Sequence, residues 1–203
     1  MRILSMHILL KRGDKSIFLK SSYQLDFIGY LKRGVAKQHI NFGARTCVNK
    51  LKQGETVRLD LPELENATIF SHINEQDLAT VIICDGEYPE QAAVKILLEM
   101  QKKFLDVYSI DLVKSYQADQ EMKFPEMDAM IGKYQDPKEA DKLMKIESEL
   151  AEVQGMLHKT MQDLLDRGEK LDDLMKQSED ISGMAYNFYA GAKKSNQKCC
   201  SLY

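Results

Sequence analysis

Nowhere in this 203-residue chain is there a run of roughly 18 consecutive apolar residues, the length a membrane-spanning helix requires. Met1 to Gly13 alternates apolar with polar residues, so the N-terminus lacks the continuous core of a secretory signal, and a cytosolic protein is expected. Cysteine is sparse: Cys47 and Cys84 stand far apart in apolar surroundings, and Cys199 and Cys200 are adjacent at the end. That placement excludes a disulfide framework. It excludes zinc too, because Cys-x-x-Cys is absent and only His7, His39, His72 and His158 offer imidazole. Basic charge is not in excess. At a formal net charge of -3 the chain lacks the concentrated positive field that phosphate-tracking proteins use, so nucleic acid is not an expected partner. Gly-x-Ser-x-Gly, P-loop and His-Glu-x-x-His motifs are missing and no nucleophile stands beside an evident base, so neither catalysis nor a cofactor is expected.

What is present, 44% apolar and 29% charged residues, suits one folded domain plus a further segment. From Arg2 to Leu10 the even positions Leu4, Met6, Ile8 and Leu10 are apolar while Ser5 and His7 are polar, the period of a half-buried strand. Lys11 to Lys15 reads as a five-residue loop, and Ile17 to Lys20 as the second strand of a hairpin. Val57 to Leu61, Ala67 to Ile73 and Leu78 to Cys84 supply three more strands. Between the second and third, Ala36, Ile40, Ala44, Cys47 and Leu51 form one helical stripe. A second amphipathic helix follows Pro89, carrying Ala93, Val94, Leu97, Leu98, Phe104 and Leu105. The class is α+β, with a five-stranded antiparallel sheet and flanking helices.

Phe42 does not fit this scheme. At about 100° per residue it lies roughly 160° from the centre of its helix stripe, facing away from the sheet. It is either a lone exposed aromatic or a contact site for something apolar. The boundaries read as a domain over 1–124, a hinge with a short docking helix over 125–137, a coiled-coil segment over 138–198 and a tail over 199–203.

The coiled-coil segment carries the strongest pattern. Leu143, Ile146, Leu150, Val153, Leu157, Thr160, Leu164, Arg167, Leu171, Leu174, Ser178, Ile181, Ala185, Phe188, Ala192 and Ser195 follow alternating gaps of three and four. All but Thr160, Arg167, Ser178 and Ser195 are apolar. A continuous helix would run about 80 Å at 1.5 Å per residue, too long for one small domain to cover, so other helices are expected as partners. Arg167 puts a permanent charge in the middle of the seam, which calls for acceptors from those partners, or else lets the side chain snorkel to the edge of an ordinary coil. Gly155, Gly168, Gly183 and Gly191 lie off the seam and each costs about 1 kcal/mol in a helix. Alone, the segment is expected to be poorly helical and to fold when its partners arrive.

Cys200-Ser201-Leu202-Tyr203 has the form of a C-a-a-X prenylation signal, with Cys199 beside it as a second lipid site. Lys193, Lys194 and Lys198 precede it. Tyr203 departs from the usual final residues and leaves the prenyl group open, and two unmodified thiols on a frayed tail are the alternative.

Leu164-Leu165-Asp166-Arg167-Gly168-Glu169-Lys170-Leu171-Asp172-Asp173-Leu174 resembles the centre of an R-SNARE motif. Together with Tyr88-Pro89, Tyr134-Gln135-Asp136-Pro137-Lys138-Glu139-Ala140-Asp141 and the terminal Cys-Cys, it is similar to the prenylated longin R-SNAREs over essentially the whole chain. The resemblance implies a longin, profilin-like domain followed by a long SNARE helix that enters a four-helix bundle with three Q-SNARE helices, Arg167 in its central layer. It implies a closed form in which the longin domain holds the folded-back segment and the lipid near Phe42. It implies a cytosolic protein cycling to Golgi, ER, endosomal or vacuolar membranes. A longin-type trafficking adaptor, a self-associating coil and a lipid-binding protein assisting its own acylation are the other readings.

Overall fold

The computed structural model describes residues 2–61, 67–145 and 155–199, apart from the side chains of residues 192 and 194–199. β1 (Ile3–Arg12) and β2 (Lys15–Tyr23) form a hairpin, α1 (Tyr30–Lys50) follows, and β3 (Thr56–Leu61), β4 (Ala67–Ile73) and β5 (Leu78–Asp85) make a meander. Then come α2 (Glu90–Val107), α3 (Ile110–Ser115), α4 (Pro125–Lys133) and α5 (Pro137–Lys145). The last part of the chain contributes β6 (Leu157–Thr160), α6 (Met161–Leu164), α7 (Leu171–Gln177) and α8 (Gly183–Cys199).

The sheet order is β2-β1-β5-β4-β3-β6. The five expected strands pair antiparallel, and β6 adds a sixth, parallel to β3. The first turn is tighter than expected. Arg12 pairs with Lys15, so Gly13 and Asp14 alone make the loop, and Gly13 takes φ +62°, a conformation that costs glycine little.

Alternation along the strands divides the core into two layers. On one face Met6, Ile8, Leu10, Leu19 and Ile82 meet Ile96, Leu97, Met100 and Phe104 of α2. On the other, Leu9, Phe18, Leu59, Ile69 and Val81 meet Ile40, Ala44, Cys47 and Val48 of α1. Gly43 lets α1 approach closely, since a Cβ there would stand 3.3 Å from Ile69 Cδ1. The short docking helix expected within 125–137 is α4, and it docks fully: Met127, Met130, Ile131 and Tyr134 join the α2-side core, so the stretch is packed and does not form the expected hinge. Residues 118–122 follow the β2 edge, Gln120 and Met122 donating to the Phe18 and Leu19 carbonyls at 2.7 and 2.8 Å.

The Tyr88 and Tyr134-Gln135-Asp136 motifs prove to be fasteners. Tyr88 donates its hydroxyl to the Tyr134 carbonyl at 3.0 Å, and the Gln135 amide pairs with both backbone groups of Ile3 at 3.1 and 2.6 Å. Asp136 accepts from the Lys138 N–H at 2.9 Å, capping α5 at Pro137.

His7 makes the fold pH-sensitive. It is fully buried in β1, within 3.0 Å of Ser21 Oγ and 2.9 Å of Ser5 Oγ, its ring beside Phe18 and Tyr23. Burial, with help from the Lys37 charge, lowers its pKa from 6.5 to about 3. The unfolded chain therefore takes up a proton that the folded one refuses, so stability is complete above about pH 6.5 and is lost progressively towards pH 3. At pH 5 this one group removes about 2 kcal/mol. Urea unfolding at pH 7 and pH 5 is expected to show that loss in the parent and a smaller one in His7→Gln. Equal losses would remove His7 from the account.

Candidate functional site: the face between the N-terminal domain and the C-terminal segment

Phe42 points away from the sheet, yet it is not exposed. It is 7% accessible and clusters with Met175 and Tyr189, with Leu171, Leu174, Ile181 and Tyr186 packed around them. The cover is the chain's own last third, which wraps α1 and the β3 edge.

β6 begins the wrap by pairing Val57 with Leu157 and Asp60 with Thr160. Thr160 then starts α6 through a capping box: its hydroxyl accepts from the Asp163 N–H at 3.3 Å and Asp163 Oδ2 accepts from the Thr160 N–H at 2.7 Å. Met161 and Leu164 drop into the α1-side core. Gly168, at φ +95°, turns the chain into α7, and Lys50 Nζ reaches Asp166 at 2.6 Å and Glu169 at 2.7 Å across that turn. Met175 from α7 and Ala185 and Tyr189 from α8 complete the buried set.

Polar contacts frame the apolar ones. Arg45 on α1 donates Nε to Asp180 Oδ2 at 2.7 Å and Nη2 to Asp119 Oδ2 at 2.6 Å, and Nη1 to the Ser16 carbonyl at 2.6 Å. Burial opposes its charge, but the bonds to the two aspartates more than compensate and its pKa rises. The Ser182 N–H donates to Gln38 Oε1 at 2.8 Å. His39 lies in the contact, 5% accessible; its Nδ1, 2.8 Å from the Val35 carbonyl, must carry the proton because a carbonyl only accepts. Burial lowers the His39 pKa despite that bond, so the contact favours neutral imidazole. A cavity of about 30 Å³ remains between His39, Phe42, Leu61, Met161, Met175 and Tyr189. That is room for a water or two, and the C-terminal segment itself fills most of the place.

As expected for this segment without partner helices, the described parts of 138–198 form separate elements, α8 the longest of them, and not one continuous helix. Part of the apolar seam packs on the N-terminal domain, and Gly155 (φ +86°) and Gly168 stand where the chain turns. Leu164 and Ala185 are buried; Leu143, Leu171, Leu174 and Ile181 are partly buried against core clusters. Ser178 is half-buried; Leu157, at 39%, and Phe188, at 51%, are exposed. Arg167 is exposed in the turn before α7. Ile146, Leu150, Val153 and Cys200 lie outside the described residues, as do the side chains of Ala192, Ser195 and Cys199 on α8.

Sequence reasoning missed Met161, Met175 and Tyr189. Each follows a seam residue, Thr160, Leu174 and Phe188, and they recur every two heptads. That second apolar row beside the seam was the available signal. Phe42 meets it in the closed fold.

The Longin family model, a regulated-SNARE-like domain, matches residues 31–131, and the Synaptobrevin family model matches residues 142–201. Synaptobrevin homolog YKT6 of Saccharomyces cerevisiae is 33% identical over 209 residues, covering 100% of both chains. The proteins of the same name from Eremothecium gossypii and Debaryomyces hansenii are 33% and 32% identical, again over 100% of both. With a longin domain, an adjoining synaptobrevin segment and full-length relatives, the chain belongs to the longin-domain synaptobrevin family, the non-enzymatic R-SNAREs of vesicular transport.

Proposed function

We propose that this chain alternates between the closed form above and a four-helix bundle with three Q-SNARE helices, with Arg167 in the central layer of the bundle. One observation supports it most: Leu164, Leu171, Leu174, Ile181 and Ala185, all on the seam of the coil, are among the residues that pack on the longin domain. They cannot face both at once, so the two states exclude each other and the longin domain is autoinhibitory. A closed state only a few kcal/mol below the open one is readily reversed by partner helices. Lipids on Cys200 (prenyl) and Cys199 (palmitoyl or a second prenyl) supply the membrane anchor, because no helix among the described residues is long and apolar enough to cross a bilayer. The protein then cycles between cytosol and Golgi, ER, endosomal or vacuolar membranes.

Mixing the chain with candidate Q-SNARE triplets and measuring the heat resistance of the product tests the reading. Arg167→Ala is expected to lower the melting point of that complex, because partner amides left unsatisfied cost about 1–3 kcal/mol. Hydrogen exchange of the closed monomer should not change, since Arg167 is exposed there. A complex of undiminished heat resistance, with partners in unaltered register, would overturn the central-layer role.

A further inference from the structure

Beside the closed contact lies an apolar surface that neither the longin core nor the SNARE seam uses. Phe27, Tyr30 and Leu31 are 46%, 83% and 92% accessible at the start of α1. This tip is built. Arg33 holds the preceding turn through the Ile28 and Asp26 carbonyls at 2.9 and 2.8 Å and pairs with the Asp26 carboxylate at 3.4 Å, which offsets the acidic group of the segment. The Arg2 guanidinium lies 5.0 Å from the Phe27 ring, and Lys32 reaches across to Phe188 of α8 at 5.9 Å. Gly29 gives α1 no side-chain cap and its first turn has no acidic residue, so the positive helix end is unopposed there.

The geometry points to an interfacial membrane-docking site: the Phe27-Tyr30-Leu31 tip enters the headgroup region of an anionic bilayer, with Arg2 and Lys32 against lipid phosphates and carboxylates. Aromatic and leucine side chains on a protruding turn, flanked by cations, suit a water–lipid boundary. Charge complementarity selects a negative surface. A protein partner is the less suitable occupant, because Leu31 protrudes almost wholly from the surface while specific protein interfaces extend over roughly 800 Å² per partner. Such a site would orient the longin domain on the membrane, adding to what a lipid tail supplies.

Co-sedimentation of full-length Cys199→Ser/Cys200→Ser chain, which carries no lipid, with phosphatidylcholine vesicles containing or lacking phosphatidylserine isolates this site. Partition is expected to be roughly tenfold greater on the anionic vesicles and to fall with salt. Tyr30→Ser/Leu31→Ser should reduce it about tenfold or more, and Lys32→Glu should abolish the preference for phosphatidylserine. Equal sedimentation of parent and variants, or equal binding to neutral vesicles, overturns the proposal. So does a double variant that keeps vesicle binding but loses purified Q-SNARE helices, which would make the tip a protein-docking surface. The bundle assay contains no membrane, so failure here leaves that reading untouched.

Discussion

Phe42→Glu is expected to release the SNARE segment from the longin domain. The parent ring is almost fully buried against Met175 and Tyr189, and its loss alone removes about 2–3 kcal/mol of apolar burial. A carboxylate in the same place adds a desolvation cost of several kcal/mol, and Arg45, three residues further along α1, is already engaged by Asp119 and Asp180. Together these exceed the few kcal/mol that hold the closed state, so the population should invert. Hydrogen exchange across 157–189 is expected to accelerate at least about tenfold. Amides of β5 should be unaffected, because Phe42 belongs to neither sheet cluster and the domain remains folded. A lipidated preparation of the variant should also move from the soluble to the membrane fraction. If the variant's segment stays as protected as the parent's, Phe42 does not hold the closed form.

The second large effect is expected from Cys200→Ser. Membrane residence then depends on the remaining weak contacts, because loss of the first lipid is expected to prevent the second, and one prenyl chain contributes about 0.8 kcal/mol for each buried CH₂. Lys193, Lys194 and Lys198, at about 1 kcal/mol each near an anionic leaflet, do not replace it. Fractionation should find the variant almost wholly soluble, and the double variant with Phe42→Glu should be open and still soluble. An unmodified C-terminus in the membrane-bound parent, read by mass spectrometry, would refute the lipid anchor.

The sheet was legible because apolar runs between turn signals make strands, and β1 to β5 lie where those runs place them, within two or three residues at each end. The half-buried reading of β1 fails, since helices cover both faces and Ser5 and His7 are fully buried. The Lys11–Lys15 turn was misjudged because glycine at positive φ closes a hairpin that composition alone lengthens. Around residues 118–140 the pattern faded for a different reason. Only Met122 and Phe124, which anchor the stretch along the β2 edge, follow no period; Met127, Met130, Ile131 and Tyr134 keep the helical spacing of α4.

Within the candidate site, the outward angle of Phe42 was visible from helix geometry, and its partners Met175 and Tyr189 were not. A heptad seam identifies residues able to share a core, and Leu164, Arg167 and Leu171 state that capacity in the sequence itself. Local periodicity thus determined which elements exist and which residues are able to bury. The tertiary structure decided where they bury: an isolated seam takes the nearest apolar surface, here α1 and the β3 edge, bending at Gly155 and Gly168 to reach it. Free energy of burial depends on the area removed from water and not on which partner removes it, so only the folded chain could say that the first partner is itself.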